Sequence, residues 1–384
     1  DVATLAEAKG HTFYREEVVD PILLDENTFN NMRSVGTFCS TVRGSMVDVM
    51  AYLGFYTGAN EYIYMGSTPI TNDIFGLRYI YVRNGKYYPE SENLTPVYST
   101  DEMTVYENTT ALPIAFGVGR DVNGKWSYGS YNAGNVLNNF ARYATGETGE
   151  IFETVYPVFG VSGVNCEAFY SEKTPNMINY TDGHGDMITI SISFKVTGSG
   201  RYFINLRGNG IETMSYAIDG FPQTEDRYQT QMMDLGELKE GSVVSIKVRF
   251  NESYSTDGTL TTHVSRLDHS TLTKIRAVLT KNAMVVSECR DGYVKGDISL
   301  AEDQMIFTSI PYDEGWTVYV DGEKTKPVRI AGAFLGINAP AGSHSIVMSF
   351  RPDGMVPGIV ISTISWIVFI VLCIYIVKRD KKSG

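Results

Sequence analysis

Three hydrophobic patterns divide the chain. Near the N-terminus Val42, Met46, Val49, Met50 and Leu53 recur at helical steps, and Gly54 ends the run. Thr68-Pro69-Ile70-Thr71-Asn72-Asp73-Ile74-Phe75 predicts a short helix with proline in its first turn. Residues 135–144 predict a longer one, with Val136, Leu137, Phe140 and Ala144 on one side. Stretches 13–19, 77–82, 97–98, 103–106 and 114–118 read as strands. Residues 1–150 therefore form a mixed α/β domain, followed by a linker at 151–165.

The period then becomes two. Ile188, Ile190, Ile192, Phe194 and Val196 alternate with Thr189, Ser191, Ser193 and Lys195. Val244, Ile246, Val248 and Phe250 alternate with Ser245, Lys247 and Arg249. Such strands bury one face and wet the other, so 166–267 is expected to be an antiparallel β-sandwich unit. Residues 271–281 return to helical spacing through Leu272, Ile275 and Leu279, and strands resume from Met284 to Phe350. Residues 268–353 are thus a helix plus a second β-unit.

The third pattern has no polar face. Residues 355–377 run for 23 positions without a charge. As a helix they span about 35 Å, enough for a hydrocarbon core of about 30 Å. A globular helix seldom stays apolar on every face for six turns. The expected fold class is α+β: an N-terminal mixed α/β domain, antiparallel β-sandwich (jelly-roll-like) units and one C-terminal transmembrane helix.

The two β stretches share a plan. Tyr216-Ala217-Ile218-Asp219-Gly220 is followed by Leu235-Gly236, Gly241-Ser242 and a strand to Phe250. Tyr319-Val320-Asp321-Gly322 is followed by Leu335-Gly336, Gly342-Ser343 and a strand to Phe350. Asp-Gly suits a tight hairpin because both central residues of a type I′ turn take positive φ. The repeat reads either as an old duplication or as shared turn chemistry.

Charge sets orientation and excludes one partner class. The formal net charge is -12. The tail at 378–384 holds Lys378, Arg379, Lys381 and Lys382 against Asp380, so everything before it is near -15. Such an acidic body argues against nucleic acid. Basic flanks stay in the cytoplasm, which places residues 1–353 outside a bacterial plasma membrane and the C-terminus inside. Among Cys39, Cys166, Cys289 and Cys373 there is no CxxC and no disulfide framework. The chain opens at Asp1 without an export signal, so the expectation is a piece of a longer protein whose preceding part carried the signal or more membrane spans.

Motifs for chemistry are sparse. Thr181-Asp182-Gly183-His184-Gly185-Asp186 has a metal-like composition, but its glycines favour a plain turn, and no metal ligand is assigned. The acid pairs Glu16-Glu17, Asp101-Glu102, Glu225-Asp226 and Asp313-Glu314 are expected on solvated surface. No GxSxG, HExxH or P-loop occurs. Trp126-Ser127-Tyr128-Gly129-Ser130-Tyr131 lies in a Gly/Asn/Ser-rich stretch that would expose its rings, and such rings stack on sugars. Trp126, Tyr128 and Tyr131 are the binding candidates; the alternative is that Trp126 pins the loop to the domain.

Longer segments carry a resemblance. Ser309-Ile310-Pro311-Tyr312-Asp313-Glu314-Gly315-Trp316 through Asp321-Gly322-Glu323, then Ala331-Gly332-Ala333-Phe334-Leu335-Gly336, Pro340 to His344 and Phe350-Arg351-Pro352, lead into the apolar run. Phe13-Tyr14-Arg15, Gly66 to Asp73, Phe75 to Ile80, and Tyr106-Glu107-Asn108 with Ala111 to Phe116 complete the set. Together they resemble the YfhO family of bacterial membrane proteins. The resemblance implies a polytopic GT-C type glycosyltransferase that uses a lipid-phosphate-sugar donor to decorate a cell-wall polymer such as lipoteichoic acid. Its catalytic carboxylate would lie in the preceding membrane bundle, so no catalytic residue and no cofactor is assigned to this chain. The implied partners are the lipid bilayer, that bundle, and a cell-wall polymer or glycan. A different class, a membrane-anchored carbohydrate-binding or adhesion protein without catalytic activity, fits the same composition. An extracellular hydrolase is disfavoured by the missing motifs.

Overall fold

The N-terminal region opens with α1 (Val2–Ala8), β1 (Arg15–Val18), α2 (Glu26–Phe29), β2 (Thr37–Phe38), α3 (Gly44–Tyr52), β3 (Tyr56–Gly58), β4 (Glu61–Ile63) and α4 (Pro69–Ile74). It continues with β5 (Leu77–Arg83), β6 (Leu94–Ser99), β7 (Met103–Asn108), β8 (Ala115–Val118), a short α5 (Val122–Lys125) and α6 (Ala133–Thr145). The computed structural model describes residues 2–383 apart from 20, 86–87, 89–90, 92, 129–131, 183–186, 225–231 and 252–256. One sheet runs β1-β5-β7-β6 with β1 parallel to β5, and a small one runs β2-β4-β3. Local signals explain the helix ends. Thr68 and Thr71 cap α4 reciprocally, the Thr68 N–H donating to Thr71 Oγ1 at 2.7 Å. Asn132 caps α6, and Gly146 stops it at φ 77.

The first sandwich follows. Residues 151–165, expected as a linker, instead carry β9 (Phe152–Val155) and β10 (Gly160–Val164). Next come β11 (Cys166–Tyr170), β12 (Met177–Asp182), β13 (Thr189–Lys195), β14 (Gly200–Arg207), β15 (Ile211–Ile218), β16 (Phe221–Thr224), β17 (Met232–Leu238), β18 (Val243–Phe250) and β19 (Gly258–Leu267). One sheet runs β10-β13-β18-β15-β16; the other runs β11-β12-β19-β14-β17, with β9 beside β19. The alternation works as the period requires: Val244, Ile246, Val248 and Phe250 are buried, and their neighbours on β18 are exposed. Ile190, Ile192, Ile204 and Leu206 complete this core.

After α7 (His269–Lys281), capped by Asp268, the second unit holds β20 (Val285–Arg290), β21 (Tyr293–Leu300), β22 (Gln304–Pro311), β23 (Trp316–Val320), β24 (Glu323–Thr325), β25 (Val328–Ile330), β26 (Phe334–Ala339) and β27 (Gly342–Phe350). Its sheets are β20-β21-β27-β23-β24 and β25-β26-β22-β8. The architecture is a mostly-β α+β fold, closed by α8 (Met355–Ser383).

The repeat extends to topology. The path β10-β13-β18-β15-β16 matches β20-β21-β27-β23-β24 strand for strand. Both Asp-Gly turns have two positive φ angles, 51 and 84 for Asp219-Gly220, 53 and 84 for Asp321-Gly322. In the facing sheet β19-β14-β17 corresponds to β8-β22-β26, all antiparallel. The seat taken in the first unit by its own last strand is filled in the second by β8, from the N-terminal region. In the second unit β27 is followed directly by α8, where the first unit continues into β19.

This exchange fuses the N-terminal region to the second unit. A single core joins Met50 of α3, Phe140 of α6, Ile275 of α7, and Phe307 and Phe334 of the second unit. Ile114 and Ala115 enter the core of the second sandwich itself.

Candidate functional site

The aromatic stretch is not an open platform. Trp126 is 4% exposed. Its Nε1–H donates to the Val136 carbonyl at 3.2 Å, its ring lies parallel to Phe334 at 6.2 Å, and it meets Phe140 edge-on at 4.8 Å. The expectation of an exposed ring is corrected here: Phe140 and Phe334 form a socket that a Gly/Asn/Ser context does not reveal. Trp126 pins the loop. Tyr128 is half-buried, donates its hydroxyl to the Ala331 carbonyl at 2.9 Å and packs on Tyr52 at 4.7 Å. Tyr131 lies outside the described residues. So do 183–186 of the His184 turn; Thr181 and Asp182 end β12.

The acid pair Glu16-Glu17 is also corrected: both residues are buried. Neighbours on a strand point to opposite faces, and both faces of β1 are covered. Glu16 accepts from the Tyr81 hydroxyl at 2.8 Å. Glu17 accepts from Asn27 Nδ2 and from the main-chain N–H groups of Val35 and Gly36, each at 2.6 Å. Burial pushes its carboxyl up to about 7 against the pull of these donors.

Residues that carry the family resemblance act as joints. Arg15 donates to the Phe75 carbonyl at 2.6 Å, to Ser309 Oγ at 2.7 Å and to the Ser309 carbonyl at 2.9 Å, tying β1 to β22. Desolvation lowers its guanidinium to about 10. Asp73, fully buried, accepts from Arg276 Nε at 2.6 Å, from Thr110 Oγ1 at 2.7 Å and from Asn108 Nδ2 at 3.2 Å. Burial raises its carboxyl while Arg276 opposes that. These groups have their partners within the fold, so their geometry is that of clamps. Among the described residues no group of three or more His, Cys, Asp or Glu is arranged to hold a metal.

The open feature is a groove of about 480 Å³ on the outer face of the five-stranded sheet of the first sandwich. Three strands build it in register. Ser162 on β10 faces Ser191 on β13, which faces Lys247 on β18; one step along, Gly160 faces Ser193, which faces Ser245. The floor is shallow because these side chains are small, and a Cβ on Gly160 would meet Ser193 Oγ at 2.8 Å. Lys195 and Arg249 extend the same face along β13 and β18, Arg249 pairing with Glu212 at 3.3 Å. Hydroxyls both donate and accept, and Lys247 adds a point charge. The face therefore offers hydrogen-bond donors and acceptors beside a cationic side chain. The sequence displayed these residues as the wet half of an alternation. The missed signal was the run of small side chains there, which leaves room.

Comparison with known proteins places the chain in context. The family described as "Bacterial membrane protein YfhO" matches residues 2–362. "Uncharacterized protein YfhO" of Bacillus subtilis (strain 168) is 31% identical over 85 residues, 22% of this chain and 9% of that protein; the match thus spans about a tenth of the curated relative's length. A family 35 carbohydrate binding module from Clostridium thermocellum is similar over 29% of this chain and 98% of its own, at 13% identity and a TM-score of 0.21. Arabinofuranosyltransferase AftD from Mycobacteria is similar over 38% of this chain and 12% of its own, at 11% identity and a TM-score of 0.18.

Proposed function

The chain belongs to the YfhO family of bacterial membrane proteins, and from that premise we propose that it is the extracellular accessory region of a polytopic membrane glycosyltransferase. In this reading the parent enzyme moves a sugar from a lipid-phosphate-sugar donor to a cell-wall polymer such as lipoteichoic acid, in GT-C fashion. Catalysis belongs to membrane-embedded parts outside this chain. Met355–Arg379 is long and apolar enough to cross a membrane, and the basic residues behind it keep the C-terminus cytoplasmic. Residues 1–353 then stand outside the cell.

The observation that carries the reading is the groove. The chain is strongly acidic, yet this groove places Lys247 among serine hydroxyls, with Lys195 and Arg249 on the same face. That local chemistry suits a polyol-phosphate or anionic glycan chain, which the overall charge would repel. The test is titration of the full chain in nanodiscs with teichoic acid fragments. Lys247→Glu should weaken binding about three- to tenfold, the worth of one exposed ion pair plus the repulsion that replaces it. Ser193→Trp, which fills the groove, should weaken it as well. Unchanged affinity in both variants would remove the groove from the proposal.

The same groove would serve a membrane-anchored carbohydrate-binding or adhesion protein. Sugar transfer by the full-length parent separates the two: binding without transfer favours the anchor protein.

A further inference from the structure

The segment from Ile22 to Phe38 exposes apolar side chains in a cluster. Ile22 is 71% exposed, Phe29 79%, and Leu23, Leu24 and Phe38 are exposed as well. The segment is not slack. Buried Glu17 holds Asn27, Val35 and Gly36 on one carboxylate. Arg83 pairs with Glu26, whose other oxygen accepts from the Ile22 N–H at 2.8 Å. A fixed loop that presents leucine and phenylalanine to solvent needs a cover.

Two ties place this loop at the end of the molecule where α8 begins. Arg43, just past the segment, pairs with Asp313. Asp313 accepts from the Gly315 N–H at 2.8 Å, and the Gly315 carbonyl accepts from the Arg351 N–H at 3.0 Å, four residues before α8 starts at Met355. Arg33, inside the segment, accepts at its carbonyl from the Glu16 N–H at 3.1 Å, and the adjacent Arg15 donates to Ser309 Oγ of β22 at 2.7 Å, four residues before Asp313. The β20–β21 hairpin lies at that end as well, its Gly292 carbonyl accepting from the Phe350 N–H at 2.8 Å. The apolar loop and the first turn of α8 therefore share one end of the fold.

We infer that the loop 22–38 rests on the outer surface of the bilayer that α8 crosses, with Leu23, Leu24 and Phe29 entering the headgroup boundary. The inference rests on the reading of α8 as a membrane span. An apolar loop beside the helix entry would fix the tilt of the ectodomain by a second contact, where the short connection 351–354 alone leaves it free to swing.

The test uses the full chain in nanodiscs of phosphatidylglycerol and phosphatidylcholine, with Cys39, Cys166, Cys289 and Cys373 replaced by serine. A bimane label is attached in turn at Phe29→Cys, at Ile364→Cys within α8, and at Ala341→Cys. Ala341 precedes β27 and lies roughly 30 Å from Phe350 at 3.3 Å per residue. Nitroxide lipids labelled near the headgroup should quench position 29, and lipids labelled along the acyl chain position 364, each severalfold more than position 341. Quenching at 364 but not at 29 would overturn the inference and leave the span intact. No quenching at 364 would overturn the span, and the inference with it. A label at 29 shielded from aqueous iodide yet untouched by nitroxide lipid would assign the loop to a protein contact and overturn the bilayer as its cover. Leu23→Asp provides a second readout: it should reorient the ectodomain without lowering its thermal midpoint, and an unchanged orientation would count against the inference.

Discussion

Asp219 and Asp321 occupy the same position in the two sandwiches. Asp219 Oδ1 accepts from the Val243 N–H and Asp321 Oδ1 from the Ser345 N–H, both at 2.8 Å. Each aspartate N–H donates to the carbonyl of that same partner, both at 2.9 Å. A hairpin turn is thus buttoned to the long strand beside it, twice, by the same two bonds. This detail goes beyond the Asp-Gly turn and favours duplication over coincidence.

The buttons should be separable. Asp321→Ala loses the side-chain acceptor and places alanine at a positive φ, where Asp and Asn are better tolerated. Hydrogen exchange should quicken in β23, β24 and β27 with β15, β16 and β18 unchanged; Asp219→Ala should do the reverse. Asp321 also holds His344 Nδ1 at 2.7 Å, which raises the imidazole and lowers the carboxyl. The sign follows from a raised histidine: its stabilisation is complete below the unfolded value near 6.5 and fades as pH climbs through the higher folded value. His344→Ala should abolish that fading.

Arg276 is the counter-ion of a carboxylate with no solvent contact. Arg276→Ala strands Asp73 and should cost roughly 3–5 kcal/mol in denaturant unfolding. The double variant Asp73→Asn, Arg276→Met should lose less than the sum of the singles, because the uncompensated charge is gone.

Glu17 gives a pH dependence of opposite sign to the usual carboxylate. Its pKa rises from 4.5 to about 7 in the fold. The folded state therefore binds the extra proton first, and stability should increase as pH drops from about 7 towards 4.5, by on the order of 3 kcal/mol at most. Chemical denaturation across that window should show the gain. Glu17→Gln should flatten it.

Trp126→Ala should empty a socket and destabilise the fold by about 3–5 kcal/mol. Affinity for polymer per folded molecule should stay the same. A large affinity loss with an unchanged unfolding midpoint would return the tryptophan to the list of binding residues.

What the sequence displayed and what it hid follow one physical line. Alternation along β13 and β18, the Asp-Gly turns and the caps of α4 and α6 are local, so they could be read directly. The exchange of β8 could not. Its residues Ala115–Val118 are buried on both sides, a short apolar run that names no partner. Trp126 and Glu17 misled for the same reason: the rings and donors that enclose them come from distant parts of the chain. The groove was legible as a list of residues, and only their register across β10, β13 and β18 turned the list into a surface.

The place of β8 also sets a timetable. That strand leaves the ribosome long before β22, its neighbour in the finished sheet, and must wait with one edge open. The second sandwich closes only after β22 to β27 have emerged, just ahead of the apolar helix α8. The N-terminal region and the second sandwich are thereby completed in one late event.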